Sequence, residues 1–229
     1  MTAPLGWVLD SLERLYGPPQ PREPRDPFEL VLWENVAYLT SDDRRQAAFA
    51  ALRRQVGTTP EAILGAPSER LRAVSSGGGI LADRCAAKLQ RAAAIALRDF
   101  GGDLGSLRQM PAAAALRALR KFPGIGEPGA AKVLLFAGIR PIFALESNGL
   151  RTLLRLGFGE EKKSYAGSYR SVQEATRQQV VEDCEWLIRA HHLLRRHGQE
   201  LCRRSAPRCG DCPAAPRCAY FQRNLGRPA

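Results

Sequence analysis

The chain has 229 residues, 45% of them hydrophobic, and a formal net charge of +11 at pH 7, most of it from arginine. That is enough apolar material for one substantial core or two small lobes. No apolar run approaches a membrane span, and the early patch Leu5 to Leu15 carries Asp10 and Glu13, too charged for a signal-peptide core.

Residues 5–16 read as a short amphipathic helix, and Gly17 to Pro27, with five prolines, as an extended connector. Phe28 to Leu39 is a strongly apolar helix with two acids, Glu29 and Glu34. Further helices are expected over Asp42 to Gly57, from Pro60 after the cap-like Thr58-Thr59, and over Pro67 to Val74. Ser75 to Gly79 is a loop and Ile80 to Phe100 a long Ala-rich helix. Leu107 to Lys121 leads into a turn, Gly129 to Ala137 follows as helix, and Leu153 to Phe158 comes after it. A loop over 160–170 and one long helix from Val172 to about His197 complete an all-α reading.

Two stretches carry chemistry. Phe122-Pro123-Gly124-Ile125-Gly126 joins two helical patterns, and two glycines at a helix entrance leave backbone N–H groups free to approach an anion. The turn lacks the glycine spacing and Lys-Ser/Thr of a nucleotide loop; helix–PGIG–helix fits either a phosphate-gripping hairpin or an ordinary αα-corner. Cys202, Cys209, Cys212 and Cys218 follow the spacing C-x6-C-x2-C-x5-C. In a reducing compartment four cysteines this close point to a metal, and spacing alone leaves zinc and a [4Fe–4S] cluster open. Cys85 and Cys184 fall on helical faces as small core residues.

Together these motifs resemble the endonuclease III/MutY group of helix-hairpin-helix (HhH-GPD) DNA glycosylases. The resemblance runs from Pro27-Phe28-Glu29-Leu30 through Pro123-Gly124-Ile125-Gly126 to Cys218-Ala219-Tyr220. It implies a two-lobed all-α fold with a DNA-binding cleft and a C-terminal [4Fe–4S] loop over 202–218. The first lobe would be a six-helix barrel domain, 28–143, holding the hairpin (about 112–137). The second would combine 1–27 with 144–229. It further implies a nucleoid-associated cytoplasmic monomer acting on double-stranded DNA with a damaged or mismatched base.

The resemblance also assigns roles. The strand-cleaving lysine of bifunctional members aligns with Pro128, so a monofunctional enzyme is expected; Lys132 lies one helical turn on, off-register. The essential carboxylate aligns with Glu146, where most members have aspartate, and Asn148 and Glu34 align with MutY residues. Glu34 would protonate the leaving purine, its pKa raised by apolar surroundings. Gly124, Ile125 and Gly126 would grip a phosphate, and Arg203 in the cysteine loop would face the DNA backbone. Leu39, Ile80 and Leu81 would wedge into the duplex, or else Leu39 and Ile80 lie in the core. The chain stops at Ala229, so the C-terminal domain of MutY proteins is expected to be absent. The implied reaction is excision of a flipped damaged purine, alkylated bases first and mismatched adenine second. The alternatives are a bifunctional glycosylase/lyase and an inactive iron–sulfur DNA-binding protein.

Overall fold

A computed structural model describes residues 3–77 and 80–224. Among them every regular element is helical, and none is long and apolar enough to cross a membrane. The chain divides into two compact units, Arg22–Arg140 and the pair Met1–Pro21 with Pro141–Ala229. Helix α1 (Leu5–Tyr16) belongs to the second of these.

The Arg22–Arg140 unit is built on α2 (Pro27–Asn35). Asp26 caps it, accepting from the Glu29 N–H at 2.8 Å, and Pro27 starts its first turn. Phe28, Leu30, Val31, Leu32 and Trp33 are all buried, so α2 has almost no solvent face. Around it come α3 (Asp42–Gln55), α4 (Pro60–Gly65), α5 (Ser68–Ser76), α6 (Ala82–Phe100), α7 (Ala112–Leu119) and α8 (Glu127–Phe136). Small residues on α6 (Ala86, Ala92, Ala93, Ala96) are buried and let neighbouring helices approach closely. The helix expected over Phe28 to Leu39 stops at Asn35 instead: Leu39 adopts φ +46°, and Ser41 caps α3 by accepting from the Arg44 N–H. Likewise α6 begins at Ala82, because Leu81 sits at φ +64°.

The other unit packs α1 and α9 (Ser147–Leu156) against α11 (Cys184–Glu200), with α10 (Tyr165–Thr176) and the short α12 (Ala219–Asn224) on α9. The single helix expected over Val172 to His197 is two. The Thr176 hydroxyl bonds back to the Val172 carbonyl as α10 ends, and Asp183 caps α11 from the Trp186 N–H at 2.8 Å. The loop expected over 160–170 is helical from Tyr165, capped by Ser164 accepting from the Gly167 N–H.

Truncating α2 should be severe because nothing can relax into the gap. Leu32→Ala, at a fully buried position, is expected to lower unfolding free energy by about 2–5 kcal/mol in a denaturant titration.

Candidate active site

In the hairpin, Phe122 is buried and stacks on Phe100 with centroids 5.8 Å apart, and Ile125 is buried beside it. These two side chains pin the turn, so Ile125 presents only its backbone. Gly124 has φ +73°, and a Cβ there would lie 2.8 Å from Asn35 Oδ1 and 3.4 Å from Lys88 Nζ. Gly126 precedes α8 without a side-chain cap, which leaves first-turn N–H groups open. Asn35 Nδ2 donates to the Val31 carbonyl, while its buried Oδ1 has no hydrogen-bond partner.

Leu39, Ile80 and Leu81 are exposed, Leu39 by 74%, which removes the core alternative for Leu39 and Ile80. Gly79, which precedes them in the expected wedge loop, lies outside the described residues. Leu39 and Leu81 hold left-handed backbone, a conformation costing about 1–2 kcal/mol for a side-chain-bearing residue. Tyr38, also exposed, takes the Lys88 ammonium over its ring at 5.9 Å.

Glu34 differs from expectation. Its carboxylate accepts from Lys132 Nζ at 2.9 Å, and the same ammonium lies 3.4 Å from Glu23 and over the Phe136 ring. Burial acts to raise the Glu34 pKa, but the Lys132 charge and hydrogen bond, with Arg45 beyond, outweigh it and hold the pKa below the usual carboxylate value. The raised pKa expected of a general acid is therefore corrected: apolar neighbours were visible in sequence, the cation from α8 was not.

In the other unit Glu146 caps α9, its carboxylate accepting from the Gly149 N–H at 2.6 Å and from Asn148 Nδ2 at 2.9 Å. Arg151 donates to Asn148 Oδ1 and to the Gly198 carbonyl, each at 2.7 Å, and to the Cys202 carbonyl at 3.0 Å. Both ends of the Asn148 amide are thereby specified. Tyr165, half exposed, places its hydroxyl 3.4 Å from the Leu145 carbonyl; burial, then the Glu146 charge, push its pKa up to about 12.

Cys202, Cys209, Cys212 and Cys218 line one small cavity, together with Leu156, Leu201 and His197. Among the described residues no three His, Cys, Asp or Glu side chains converge closely enough for a single metal ion. Burial, then the other cysteines against a hydrogen bond from the Ala214 backbone, push the Cys212 thiol up to about 11. Arg155 shapes the loop, donating to the Arg203 and Arg204 carbonyls and stacking on Tyr220 at 4.7 Å. Arg203 is exposed, its Nε on the Glu200 carbonyl.

No family model matches the chain. Endonuclease III of Rickettsia prowazekii (strain Madrid E) is 30% identical over 103 residues, 45% of each chain; at this end of the comparison the match spans about half the relatives' length. Endonuclease III of Escherichia coli (strain K12) is 28% identical over 197 residues, 86% of this chain and 85% of that one. In structure, a trapped endonuclease III–DNA covalent intermediate superposes with a TM-score of 0.76 at 22% identity, covering 96% of this chain and 97% of that one. The chain is similar in sequence to endonuclease III and shares the fold of that structure.

Four residues of this endonuclease III-like chain were not legible in the sequence as parts of these sites. Arg151 and Arg155 lie one and two turns beyond Asn148 on α9, a spacing that marks a shared face. Lys132 was noticed only as an off-register amine, not as the partner of Glu34. His197, five residues ahead of Cys202, carried no signal as a cavity residue.

The glycines of the hairpin should respond differently to a methyl group. Gly124→Ala meets both left-handed backbone and Asn35, and is expected to destabilise by about 1–3 kcal/mol. Gly126→Ala, at φ −86° with only Pro128 Cδ nearby at 3.9 Å, is expected to stay within about 0.5 kcal/mol in the same unfolding measurement.

Proposed function

We propose that this protein is a monofunctional DNA glycosylase that hydrolyses the N-glycosidic bond of an alkylated purine flipped out of double-stranded DNA. The observation that carries this is the oriented carboxylate of Glu146, held by the Gly149 N–H and the Asn148 amide, in a chain with an open Gly-Ile-Gly hairpin. The backbone N–H groups around Gly124 and Gly126 bind a phosphate and fix the strand. Leu39, Ile80 and Leu81 occupy the space the base leaves. As the glycosidic bond breaks, its electron pair departs with the base and the sugar becomes a cation, which Glu146 stabilises. Water then adds at C1′, loses a proton to Glu146, and leaves an abasic site.

Strand cleavage requires an amine that forms a Schiff base with the sugar. Pro128 offers none, and Lys132 is engaged as an ammonium by Glu34 and Glu23, which is not a nucleophile. The charge state of Glu34 bears on substrate. A neutral adenine needs a proton to leave, whereas an alkylated purine is already cationic and leaves as a neutral base. An ionised Glu34 supplies no proton and favours the second class. Similarity to endonuclease III supports a different reading, a bifunctional enzyme for oxidised bases, and the same assay separates them.

The four cysteines are proposed as ligands of a [4Fe–4S] cluster. Their support is that all four sulfur-bearing residues line one cavity, as cluster ligands must. A cluster there would hold the loop carrying Arg203 in place; the carboxylate chemistry needs nothing further from it. The protein is taken to act as a monomer on chromosomal DNA.

End-labelled duplexes carrying 7-methylguanine, 3-methyladenine, hypoxanthine, adenine opposite 8-oxoguanine, or thymine glycol provide the test, each reaction split with and without alkali. Cleavage of the alkylated purines only after alkali is expected. Cleavage without alkali, or preference for thymine glycol, overturns the reading. Glu146→Gln should abolish excision while leaving binding intact. Arg203→Ala should weaken binding to all sequences alike and flatten its salt dependence.

Lys132→Met gives a sharper outcome. Without its cation, burial raises the Glu34 pKa, so hypoxanthine excision should increase about tenfold or more, within the range general acids supply. The gain should fade as pH rises through that pKa, because only the protonated carboxyl donates. Excision of 7-methylguanine should change little.

A further inference from the structure

The cysteine cavity has one wall the excision chemistry does not use. His197 is buried on α11, its Nε2 lies 3.4 Å from Cys212 Sγ, and its Nδ1 lies 3.1 Å from the Tyr16 hydroxyl at the end of α1. Tyr16 is itself fixed: Arg196 stacks over its ring at 4.7 Å and donates to its carbonyl at 3.0 Å.

The directions of these bonds follow from elementary valence once Cys212 is a ligand. A ligating sulfur is a thiolate with no proton, so Nε2 must carry the hydrogen between them. The neutral ring then has a bare Nδ1, an acceptor, and the Tyr16 O–H donates to it. Each hydrogen bond specifies the next, from α1 to the sulfur.

We propose that His197 is a hydrogen-bond donor to the Cys212 thiolate, set in that tautomer by Tyr16, and that this pair raises the reduction potential of the cluster the four cysteines hold. The proposal rests on the cysteines binding an iron–sulfur cluster. When one electron enters the cluster from an electrode, charge accumulates on the sulfurs and an N–H···S bond strengthens, so the reduced form gains more than the oxidised form. No proton moves and no covalent bond changes. Arg155 also reaches Cys202 Sγ, at 3.6 Å, but it holds the loop carbonyls as well. Its loss would confound structure with potential. The His197 side chain bonds the loop at one sulfur; its carbonyl, which accepts from the Cys202 N–H at 2.8 Å, is kept in His197→Phe.

The experiment is electrochemistry of the purified full chain on a DNA-modified electrode, with iron and zinc content measured on the same samples. His197→Phe fills the space without a donor, and Tyr16→Phe keeps the histidine but frees its tautomer. With iron content equal, the potential is expected to fall in the order wild type, Tyr16→Phe, His197→Phe. Excision of 7-methylguanine should be unchanged across the three. Equal potentials in loaded proteins, or a fall in His197→Phe with none in Tyr16→Phe, overturn the proposal. Should His197→Phe fail to load iron, Tyr16→Phe alone decides it. Zinc without iron in the wild type removes the cofactor reading, and the proposal with it, while the excision assay stands apart.

Discussion

A side chain at position 198 would collide with Asn148: a Cβ on Gly198 would lie 2.6 Å from the Asn148 carbonyl oxygen and 2.7 Å from its Cβ. This backbone approach of α11 to α9 is the constraint on which the Met1–Pro21/Pro141–Ala229 unit depends. It brings the Gly198 carbonyl within reach of Arg151, which then turns to Asn148 Oδ1 and the Cys202 carbonyl. Asn148, with its oxygen occupied, must offer its N–H to Glu146. A glycine on one helix thus orients a carboxylate at the start of another and ties it to the cysteine loop. A guanidinium suits that position because its planar fork reaches several acceptors at once.

The other unit follows from the burial of α2. A helix apolar on nearly every face places whatever polar residue it carries among packed neighbours, and Glu34 and Asn35 are those residues. Glu34 is compensated by Lys132 from α8, at 2.9 Å. An uncompensated carboxylate there would be neutral rather than charged. Asn35 turns one end of its amide to Val31 and the other towards the hairpin at Gly124. The same helix therefore decides both the charge of an acid and the seating of the turn.

Much was legible in the chain itself, because it depends on local chemistry. Propensity and capping residues announced helices, and Thr59-Pro60 starts α4 as read, the Thr59 hydroxyl accepting from the Ala62 N–H. The glycine pair marked a turn with free backbone N–H groups, though of the two only Gly124 takes left-handed backbone, and the cysteine spacing marked four residues that line one cavity. Glu146 is the N-cap of α9, and its carboxylate folds back over the first turn to reach Asn148. Asp183 also carried a cap signal, and ignoring it merged two helices into one. Where a helix stops was harder: Leu39 and Leu81 are ordinary helix formers held at positive φ by their surroundings.

By itself, the sequence determined an all-helical chain with a glycine hairpin and four clustered cysteines. These are matters of spacing along a few turns of chain; the pairing of Glu146 with Asn148 was implied only by the resemblance. Tertiary structure alone decided the charge of Glu34, the exposure of Leu39, Ile80 and Leu81, and the link from Asn148 through Arg151 to the cysteine loop. Lys132 is 98 positions from Glu34, and Arg151 is 51 from Cys202. Electrostatics and hydrogen bonding act through space, and no periodicity records which distant charge packing will bring within 3 Å.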